Sequence, residues 1–470
     1  MKLKYILKDL NIEDVYLFDE DIEIHDISSD SKDKNCNLFI CVSGEKFDSH
    51  NIMSKLKKNV DVFIVEKINK KIQKCQIKLE NTRKNMLKIY LNFNNIDINK
   101  IKMIGVTGTN GKTTTTYYIK YLLKKLGKNV AVLGTNGCVI CDKELHSSLT
   151  TPTQKEFVNL LKLMIDNNVE YLIMEVSAHS VKQYRLDGLN FAVGAFTNLT
   201  MDHMDDFSSV YEYAYYKFLF LTNCCNRVIN IDDKYGLQFA KPKDITISCK
   251  NKSSCFYYSF KNDKLILNYE NSKYLIKCNI KTDYNAINLT IALSVVYLLG
   301  LDIQLVFEYL NTMPEVDGRY NLLNFGDILI CIDYAHTPDA IEKVLSNLKS
   351  KDRDLIVVFG ASGFRDSVKR KYMGKIASKY ADYIILTADN PRYENVMQIN
   401  AQIAENITKP YVCIENRYFA IKHAHDIAKN NSIIAILGKG NEDSQDICAY
   451  DVEYNDQKTV YKIFGKERNI

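Results

Sequence analysis

The sequence predicts an α/β protein of three domains, in which mostly parallel sheets are covered by helices. Three observations support this fold class. Short apolar segments rich in β-branched residues alternate with segments of helical length along most of the 470 residues. A glycine-rich loop joins one of these apolar segments to a helix near residue 108. Polar residues cluster directly after several predicted strands, where ligands bind in open α/β sheets.

The composition is that of an ordinary globular protein. Hydrophobic residues make up 46% of the chain, charged residues make up 25%, and the net charge is +5. Because the net charge is small and the lysines and arginines of the chain are scattered among acids, we expect no nucleic-acid partner. No stretch approaches the 18 apolar residues of a membrane span, and the N-terminus lacks the apolar core of a signal peptide. The thirteen scattered cysteines indicate reduced, mostly buried thiols in the cytoplasm.

The first 98 residues are predicted to form a small α/β domain. Strands are expected at residues 37–42 and 60–65, which are short and mostly apolar. A polar stretch at residues 26–34 precedes the first strand, and its serines and aspartates suit either a solvated turn or a ligand site. The polar segment 92–100 is the expected linker to the next domain.

The loop Gly-Val-Thr-Gly-Thr-Asn-Gly-Lys-Thr at residues 105–113 predicts a triphosphate site. It follows a short buried strand and opens a helix with one apolar face. Glycines let backbone N–H groups face phosphates, while Lys112 can reach the outer phosphates and Thr113 can ligate magnesium. The strict Walker spacing would place a glycine where Val106 stands, so the loop is a variant. We predict an ATP-binding domain over residues 99–317.

The remainder of this central domain alternates strands with helices. Strands are expected at residues 129–134, 171–176, 192–197 and 227–231, and helices at 153–167 and 210–224. Glu175 and His203 follow two of these strands and could bind a metal ion, although each could equally be a hydrogen-bonded strand-end group. Lys217 lies in an aromatic-rich helix, and its chemistry alone would make it a surface lysine.

Residues 318–470 predict a second doubly wound, Rossmann-like domain. A glycine-bearing hinge is expected at 316–320, and strands at 327–332, 354–359, 382–387, 410–414 and 432–437. Polar loops follow four of the strands, at residues 333–339, 360–366, 388–392 and 438–442. Their arginines suit a carboxylate and their acids an ammonium, so convergence of the loops would form a pocket for a zwitterionic amino acid. Taken singly, each of these residues is more often a solvated charge.

Eight segments resemble, in this order, the motifs of the Mur ligases, which are ATP-dependent amino-acid ligases of peptidoglycan precursor synthesis. The resemblance covers essentially the whole chain. It is strongest to the MurE type, which adds the third peptide residue to UDP-N-acetylmuramoyl-L-alanyl-D-glutamate. The segments are residues 29–31, 108–114, 150–152, 175–179, 197–203, 333–338, 389–392 and 438–442.

The resemblance implies a role for individual residues. The first 98 residues would bind the uridine nucleotide, with Ser31 in contact with it. The muramoyl-dipeptide would be bound by Thr150, Thr151, Ser177, Gln183 and Arg185. ATP would be bound by Gly108, Thr109, Asn110, Gly111, Lys112, Thr113, Thr114, Asn288, Arg319 and Asp333. Magnesium would be bound by Thr113, Glu175 and His203. The catalytic groups would be Lys112, Glu175, His203 and Lys217, with Lys217 carbamylated to N6-carboxylysine.

The resemblance also implies the reaction. The D-glutamyl carboxylate would attack the γ-phosphate of ATP to give an acyl phosphate, which the incoming amine would then attack. The segment ending at Arg392 is similar to the form in members that add meso-diaminopimelate, where the arginine would bind the distal carboxylate that lysine lacks. The implied amino-acid pocket comprises Arg365, Asp389, Asn390, Pro391, Arg392, Gly438 and Glu442.

This chain departs from the family pattern at three places. It has Ser-Gly-Phe-Arg-Asp at 362–366 where the family usually has Gly-Gly-Asp-Arg-Asp, Asn441 where a histidine is frequent, and Lys32 where an arginine is frequent. The LL-isomer of diaminopimelate and lanthionine are therefore alternative substrates. L-lysine is a further alternative, although a lysine-adding member should lack an arginine at position 392. A folylpolyglutamate synthetase should lack the N-terminal domain, and a non-catalytic nucleotide-binding homologue should have lost the four catalytic groups. We expect a cytoplasmic monomer.

Overall fold

The computed structural model describes residues 1–33, 35–44, 47–145, 149–202 and 205–465, and it is an α/β structure throughout. This confirms the predicted fold class. The chain passes repeatedly between two compact units. The first consists of Met1–Thr107, Leu123–Ala195 and Tyr215–Arg227, and the second of Gly108–Leu122, Phe196–Ala214 and Val228–Ile470. No helix within the described ranges combines the length and the apolar composition needed to cross a bilayer.

A small sheet opens the first unit. Its elements are α1 (Leu3–Ile6), β1 (Asp14–Tyr16), β2 (Ile27–Ser28), β3 (Leu38–Ile40), α2 (Met53–Leu56), β4 (Val62–Val65), β5 (Cys75–Lys78) and α3 (Thr82–Phe93). The strand order is β1-β5-β4-β3-β2, and all pairs are parallel except β1 with β5. Phe39 and Phe63 are buried on one face, with ring centroids 6.4 Å apart. The two predicted strands are confirmed as β3 and β4.

The strands that follow along the chain belong to an eleven-stranded sheet whose central strands are buried on both faces. This stretch contains β6 (Lys102–Thr107), α4 (Lys112–Lys125), β7 (Val130–Gly134), β8 (Gly137–Ile140), β9 (Lys143–Leu145), α5 (Gln154–Asp166), β10 (Tyr171–Glu175), α6 (Ala178–Lys182), β11 (Phe191–Phe196) and α7 (Val210–Thr222). The order is β11-β6-β10-β7-β8-β9, with β10 parallel to both β6 and β7. Every residue of β7 and β10 is buried, as expected for the uninterrupted apolar runs of parallel strands.

The same eleven-stranded sheet continues with strands that the sequence analysis predicted only in part. It contains β12 (Cys224–Asn230), α8 (Lys234–Phe239), β13 (Ile245–Ser248), β14 (Phe256–Lys261), β15 (Lys264–Tyr269), β16 (Ser272–Lys277) and α9 (Asp283–Leu298). Strands β14 to β16 are antiparallel hairpins. Their turns are Asn262-Asp263 and Glu270-Asn271, all four with positive φ. Such turns favour Asn-Gly or Asp-Gly, and without glycine the hairpin signal is weak.

The six-stranded sheet near the C-terminus of the chain has the predicted doubly wound pattern. It contains β17 (Asn321–Phe325), β18 (Ile328–Asp333), α10 (Pro338–Leu348), β19 (Leu355–Phe359), α11 (Val368–Tyr380), β20 (Tyr383–Leu386), α12 (Val396–Ala404), β21 (Tyr411–Cys413), α13 (Arg417–Ile427), β22 (Ile433–Leu437), β23 (Ser444–Ile447), β24 (Tyr450–Glu453) and α14 (Asp456–Phe464). The order is β17-β18-β22-β19-β20-β21, parallel from β18 onward. All five predicted strands are present, whereas β17 and the hairpin β23–β24 were not predicted.

Side-chain caps explain where several of the helices begin. Thr153 accepts a hydrogen bond from the backbone of Glu156 at the start of α5, and Thr337 caps α10, whose first residue is Pro338. Asn416 and three similar residues cap further helices, namely Thr282, Asn81 and Asn455. These hydroxyl and amide oxygens satisfy N–H groups that have no partner inside the helix.

The predicted burial of the cysteines is correct for about half of them. All thirteen are free thiols. Those buried are Cys36, Cys41, Cys75, Cys138, Cys278 and Cys331, whereas Cys141, Cys225, Cys249, Cys255 and Cys448 are exposed. Exposure of five thiols shows that small apolar packing does not account for the cysteine content of this chain.

A buried ion pair joins α13 to α14 beneath the carboxyl ends of the last sheet. The guanidinium of Arg417 donates to both carboxylate oxygens of Asp456, at 2.8 and 2.7 Å, and both side chains are 0% exposed. The same guanidinium donates to the carbonyl oxygens of Ala388 and Leu437, at 3.3 and 2.9 Å. It therefore fixes the loop after β20 against the end of β22.

Asp456→Ala should destabilise the protein by about 3–5 kcal/mol, because it leaves the Arg417 guanidinium buried without its counter-ion. The midpoint of urea unfolding, followed by circular dichroism, would measure this. Asp426→Ala is the matched control, since it removes an exposed carboxylate that pairs with Lys422 at 3.0 Å, and we expect it to change stability little. Equal midpoints for the two variants would contradict the role of the buried pair.

Candidate active site

The glycine-rich loop between β6 and α4 is folded around its own lysine. Lys112 Nζ donates to the carbonyl oxygens of Gly108 and Thr109, at 3.0 and 2.8 Å. Gly108 and Gly111 have φ values of +147° and +83°. A Cβ atom on Gly111 would lie 2.5 Å from Asn288 Oδ1, and one on Gly108 would collide with the hydroxyl of a neighbouring threonine. The loop therefore needs glycine at both positions, and Asn288 lies directly against it.

Asn110 fixes this loop to two other segments of the second unit. Its backbone N–H donates to Asn198 Oδ1 at 3.0 Å, and its carbonyl oxygen accepts from the Thr197 hydroxyl at 2.7 Å. Its side-chain amide donates to Asp339 Oδ2 at 2.9 Å. Asp339 was not predicted as a site residue. Its partner lies 229 positions away, so no local pattern could have indicated the contact.

Arg319 places a guanidinium at the start of α4. Its Nη2 donates to Thr113 Oγ1 at 3.0 Å, and the group lies 4.2 Å from the ring centroid of Tyr334. Thr113 and Thr114 are buried in the first helical turn. Arg319 Nε is buried and has no hydrogen-bond partner among the described residues. The guanidinium of Arg319 thus lies at the N-terminus of α4, whose first residue is Lys112. This arrangement is suited to binding phosphate groups.

Asp333 is a buried carboxylate at the end of β18. Its two oxygens accept hydrogen bonds from the backbone N–H groups of Tyr320 and Ala335, each at 2.7 Å. Burial raises the pKa of Asp333 to about 6, although the nearby charge of Arg319 acts in the opposite direction. Asp333 therefore shapes the backbone that carries Arg319.

In the first unit, Glu175 is held at the end of β10. Its carboxylate oxygens accept from the backbone N–H of Thr135 at 3.0 Å and from the Thr135 hydroxyl at 3.2 Å. The same hydroxyl lies 3.3 Å from Thr150 Oγ1. Glu175 is 1% exposed, so the structure contains a buried carboxylate that is oriented by hydroxyl and amide donors.

Four further predicted residues assemble around the end of the same strand. The hydroxyl of Thr151 donates to the carbonyl oxygen of Glu175 at 2.9 Å and accepts from the Ser177 N–H at 3.4 Å. Arg185 donates through Nη1 to the carbonyl oxygen of Thr151 at 2.7 Å, and through Nη2 to Gln183 Oε1 at 2.6 Å. The residues predicted to bind the muramoyl-dipeptide are thus brought together, with the exception of Ser31.

The predictions for three further residues, Ser31, Lys217 and His203, fare differently in the structure. Ser31 is exposed in a turn after β2 and makes no hydrogen bond within the described part of the chain. Lys217 on α7 is 1% exposed, so the surface-lysine interpretation of this residue is wrong. His203 lies outside the described residues. Within those residues, no group of three or more His, Cys, Asp or Glu side chains could by itself hold a metal ion.

The predicted convergence of the polar loops after β19, β20 and β22 is confirmed. Asp389 Oδ1 accepts from the Ser362 hydroxyl at 2.9 Å and from the Asn390 N–H at 2.7 Å. The side chain of Asn390 donates to Glu442 Oε2 at 3.0 Å. Gly438 approaches so closely that a Cβ atom there would lie 2.5 Å from Asp389 Oδ2. These loops therefore form one polar pocket.

Lys439 is the main residue of this pocket that the sequence analysis missed. It is 0% exposed, and its ammonium donates to Glu442 Oε2 at 2.6 Å and to Asn390 Oδ1 at 3.0 Å. Burial alone would raise the pKa of Asp389, but Lys439 and Arg417 hold this pKa below its ordinary value. In the sequence, Lys439 lies between two glycines directly after a strand, and this position was the signal that could have indicated its role.

Arg392, in the loop after β20, is held through two of its three guanidinium nitrogens. Its backbone has a φ of +54° and is bound on both sides by the hairpin β23–β24, through Asp446 O and the N–H of Cys448, each at 2.8 Å. Nε donates to Asp446 Oδ2 at 3.1 Å and Nη1 to the carbonyl oxygen of Gly363 at 3.0 Å. Within the described ranges Nη2 donates to nothing, which leaves it available to an incoming carboxylate.

Two predicted pocket residues have other surroundings. Arg365 is exposed and lies 3.8 Å from Asp206, apart from the hydrogen bonds that join the three loops. Pro391 is buried, and its carbonyl oxygen lies against Gly363. Asp446 was missed because the hairpin that carries it was not predicted.

Asp333→Asn should change the pH dependence of stability. In the folded chain Asp333 keeps its proton up to about pH 6, whereas in the unfolded chain it ionises near its ordinary pKa of 3.8. Wild-type stability therefore falls as pH rises through this window and is constant above it. The unfolding free energy of the variant minus that of the wild type should grow by up to about 3 kcal/mol as the pH rises from about 3 to about 7. A difference that stays constant in urea titrations across this range would contradict the raised pKa.

Two family models match the chain. Residues 106–296 match the Mur ligase middle domain, and residues 318–440 match the Mur ligase glutamate ligase domain. UDP-N-acetylmuramoyl-L-alanyl-D-glutamate–2,6-diaminopimelate ligase 1 of Clostridium acetobutylicum is 36% identical, covering 99% of this chain and 100% of the relative. The corresponding ligase of Clostridium botulinum is also 36% identical, covering 98% of this chain and 99% of the relative.

Solved structures show the same fold. A UDP-N-acetylmuramoyl-L-alanyl-D-glutamate–2,6-diaminopimelate ligase superposes with a TM-score of 0.68 at 26% identity, over 99% of this chain and 98% of the other. A bifunctional folylpolyglutamate synthase/dihydrofolate synthase from Yersinia pestis superposes with a TM-score of 0.61 at 16% identity. It covers 76% of this chain and 90% of its own, and at this identity the likeness concerns the fold alone.

Proposed function

Because the chain belongs to the Mur ligase family, an ATP-dependent family of peptide ligases, we propose that it joins 2,6-diaminopimelate to UDP-N-acetylmuramoyl-L-alanyl-D-glutamate. ATP is converted to ADP and phosphate in the reaction. The observation that carries this proposal is Arg392, which stands in a pocket made by three loops and has Nη2 available to bind a carboxylate. Diaminopimelate has such a carboxylate at its distal end, whereas lysine has none.

The proposed ATP site is the glycine-rich loop with Asn288, Arg319 and Asp333. Lys112 and Arg319 would bind the outer phosphates, and the loop N–H groups would bind the inner ones. The contact of Arg319 with Thr113 Oγ1 supports this assignment, since it directs a cation to the start of α4. The buried carboxylate of Asp333 would keep the backbone directly after Arg319 and the backbone after β18 in position.

Magnesium is the proposed metal. Thr113 supplies a hydroxyl oxygen and Glu175 a carboxylate oxygen, which are the ligand types that magnesium prefers, and His203 is the third proposed ligand. When bound, magnesium would neutralise phosphate charge and lower the cost of bringing a carboxylate to the γ-phosphate.

The proposed acceptor site lies around the end of β10. Arg185 and Gln183 form a hydrogen-bonded pair, and with Thr150, Thr151 and Ser177 they offer donors for the carboxylates and amides of a muramoyl-dipeptide. The D-glutamyl carboxylate would attack the γ-phosphorus of ATP, and the bond to the ADP oxygen would break. Ser31 would contact the uridine nucleotide at the other end of the substrate.

Lys217 is proposed to be carbamylated. Lys217 is 1% exposed on α7, and a carbamate on its Nζ would exchange the positive charge of the side chain for a negative one that could face the proposed magnesium ion. The carbamate oxygens would help to orient the metal and the acyl phosphate. This changes an apparently structural lysine into a catalytic group.

The second step of the proposed reaction belongs to the pocket of the second unit. Arg392 would bind the distal carboxylate, and Asp389, Asn390 and Glu442 would orient the ammonium groups. The amine nitrogen would attack the acyl carbon, lose a proton and displace phosphate. The chain would supply mainly positioning, which can account for a large part of the rate of such a transfer. We place the enzyme in the cytoplasm as a monomer, since ATP and a UDP-sugar are cytoplasmic and one chain carries every proposed group.

The proposed function predicts phosphate release from the purified protein with ATP, magnesium and the UDP-muramoyl-dipeptide when meso-diaminopimelate is added. LL-diaminopimelate, lanthionine and L-lysine would be offered separately, and the mass of the nucleotide product would identify the residue added. Release with lysine alone would keep the ligase and reject the role of Arg392. If no phosphate is released with any of the four amino acids while ATP still binds, the result would favour a non-catalytic nucleotide-binding homologue.

Lys217→Ala should abolish ligation by removing the proposed carbamate. Short-chain carboxylates such as acetate or propionate should restore part of the activity, because they can supply the missing negative charge. Phosphate release would measure both effects. The absence of rescue, with ATP binding intact, would contradict carbamylation, and Lys234→Ala would be the control for loss of a helical lysine outside the proposed site.

A further inference from the structure

Two exposed aromatic rings stand beside Arg392 in the second unit. Phe364 is 63% exposed and Tyr393 is 66% exposed, and their ring centroids are 6.1 Å apart at an interplanar angle of 87°. Phe364 follows Gly363, whose carbonyl oxygen accepts from Arg392 Nη1, and Tyr393 directly follows Arg392. We call Phe364 and Tyr393 the ring pair.

The backbone that carries the ring pair is held in an unfavourable conformation. Phe364 has a φ of +49°, which a bulky residue rarely adopts. Its N–H donates to Glu394 Oε1 at 2.5 Å, and Glu394 is bound by Arg370 Nη1 at 2.7 Å. Arg370 is 1% exposed, so the Phe364 backbone is anchored from the interior. Strain persists where the surroundings enforce it, and it clusters at positions that bind ligands.

In the free protein, packing of the Phe364 ring does little to offset the cost of its strained backbone. A phenylalanine that is 63% exposed contributes little to a core, and glycine would fit the same backbone more easily. The backbone of Arg392 has the same left-handed conformation, with a φ of +54°. Two strained residues that touch through Gly363 therefore present an aromatic surface and a cation side by side.

The groups assigned to the polar pocket next to the ring pair come from polar side chains of the described residues. They are the charged or amide groups of Asp389, Asn390, Glu442 and Lys439. A diamino diacid has three methylene groups between its two charged ends. With Arg392 on the distal carboxylate, these methylenes would lie in an otherwise polar environment. Phe364 is the aromatic residue next to Gly363 in the sequence, and Tyr393 is the one next to Arg392.

We propose that Phe364 and Tyr393 form an aromatic wall that packs against the methylene chain of the incoming diamino acid, while Arg392 binds its distal carboxylate. This inference rests on the proposed function. The two elements act differently: the wall contributes affinity for any chain of this length, whereas Arg392 discriminates a diacid from lysine. Loss of a ring therefore weakens binding of both kinds of amino acid alike, and loss of the guanidinium changes the preference between them.

Phe364→Gly tests the wall because it removes the ring and relieves the strained backbone at once. We expect the melting temperature to stay the same or rise, while the KM for diaminopimelate rises about tenfold, as for an aromatic contact at a binding site. The KM values for ATP and for the UDP-muramoyl-dipeptide should change less than twofold. Tyr393→Ser should give the same pattern, and the ratio of kcat/KM for diaminopimelate to that for lysine should be unchanged in both variants.

Phe419→Ala is the matched control. Phe419 is 58% exposed on α13, and its ring lies 5.4 Å from Tyr418 at 83°, so the variant removes a similar exposed ring elsewhere in the same unit. It should leave all three KM values unchanged.

Three results would overturn the aromatic wall, and they differ from one another. Unchanged KM for diaminopimelate in both ring variants would reject the wall while leaving the ligase intact. A fall in melting temperature with a parallel rise of all three KM values would show that the rings are structural. A wild-type protein that does not ligate diaminopimelate would reject the proposed function itself, and the wall with it.

Discussion

Two buried cations hold the loops at the carboxyl edge of the last sheet, and the amino-acid pocket depends on them. Arg417 binds Asp456 and the carbonyl oxygens of Ala388, in the loop after β20, and of Leu437, at the end of β22. Lys439 lies between Asn390 and Glu442, which come from different loops. A buried charge is costly unless it is paired and hydrogen-bonded, so each cation strongly favours the one loop arrangement that satisfies it. The pocket is therefore organised before any ligand arrives.

Backbone conformation at the site follows a related rule. Where the chain must come close to another segment it uses glycine, as at Gly108 and Gly111 in the phosphate loop. Where a side chain is needed in a left-handed conformation, as at Arg392 and Phe364, the backbone is held by hydrogen bonds from outside the loop. The surrounding hydrogen bonds therefore keep these two residues in their strained backbone conformation.

Local patterns predicted the parts of the molecule whose causes are local. The phosphate loop was recognisable because strand, glycines, Lys112 and helix are contiguous, and the parallel strands because their apolar runs are continuous. Residues whose roles depend on distant partners were missed. Asp446 contacts Arg392 across 54 positions, and the burial of Lys217 follows from packing that its own helix does not reveal. Ring proximity at Phe364 and Tyr393 likewise becomes visible only in the folded chain.

The passage of the chain between the two units has a consequence for synthesis on the ribosome. The first unit is completed only by Tyr215–Arg227. Within that segment Phe220 is buried, its ring lies 5.0 Å from that of Phe191, and it occupies the space beside Gly105 that a larger residue would need. A nascent chain that has emerged only as far as residue 200 lacks this ring and exposes an apolar hollow over β6 and β11. Cotranslational folding of the first unit must therefore wait for helix α7, and stalled or truncated chains of intermediate length are the ones that need a chaperone.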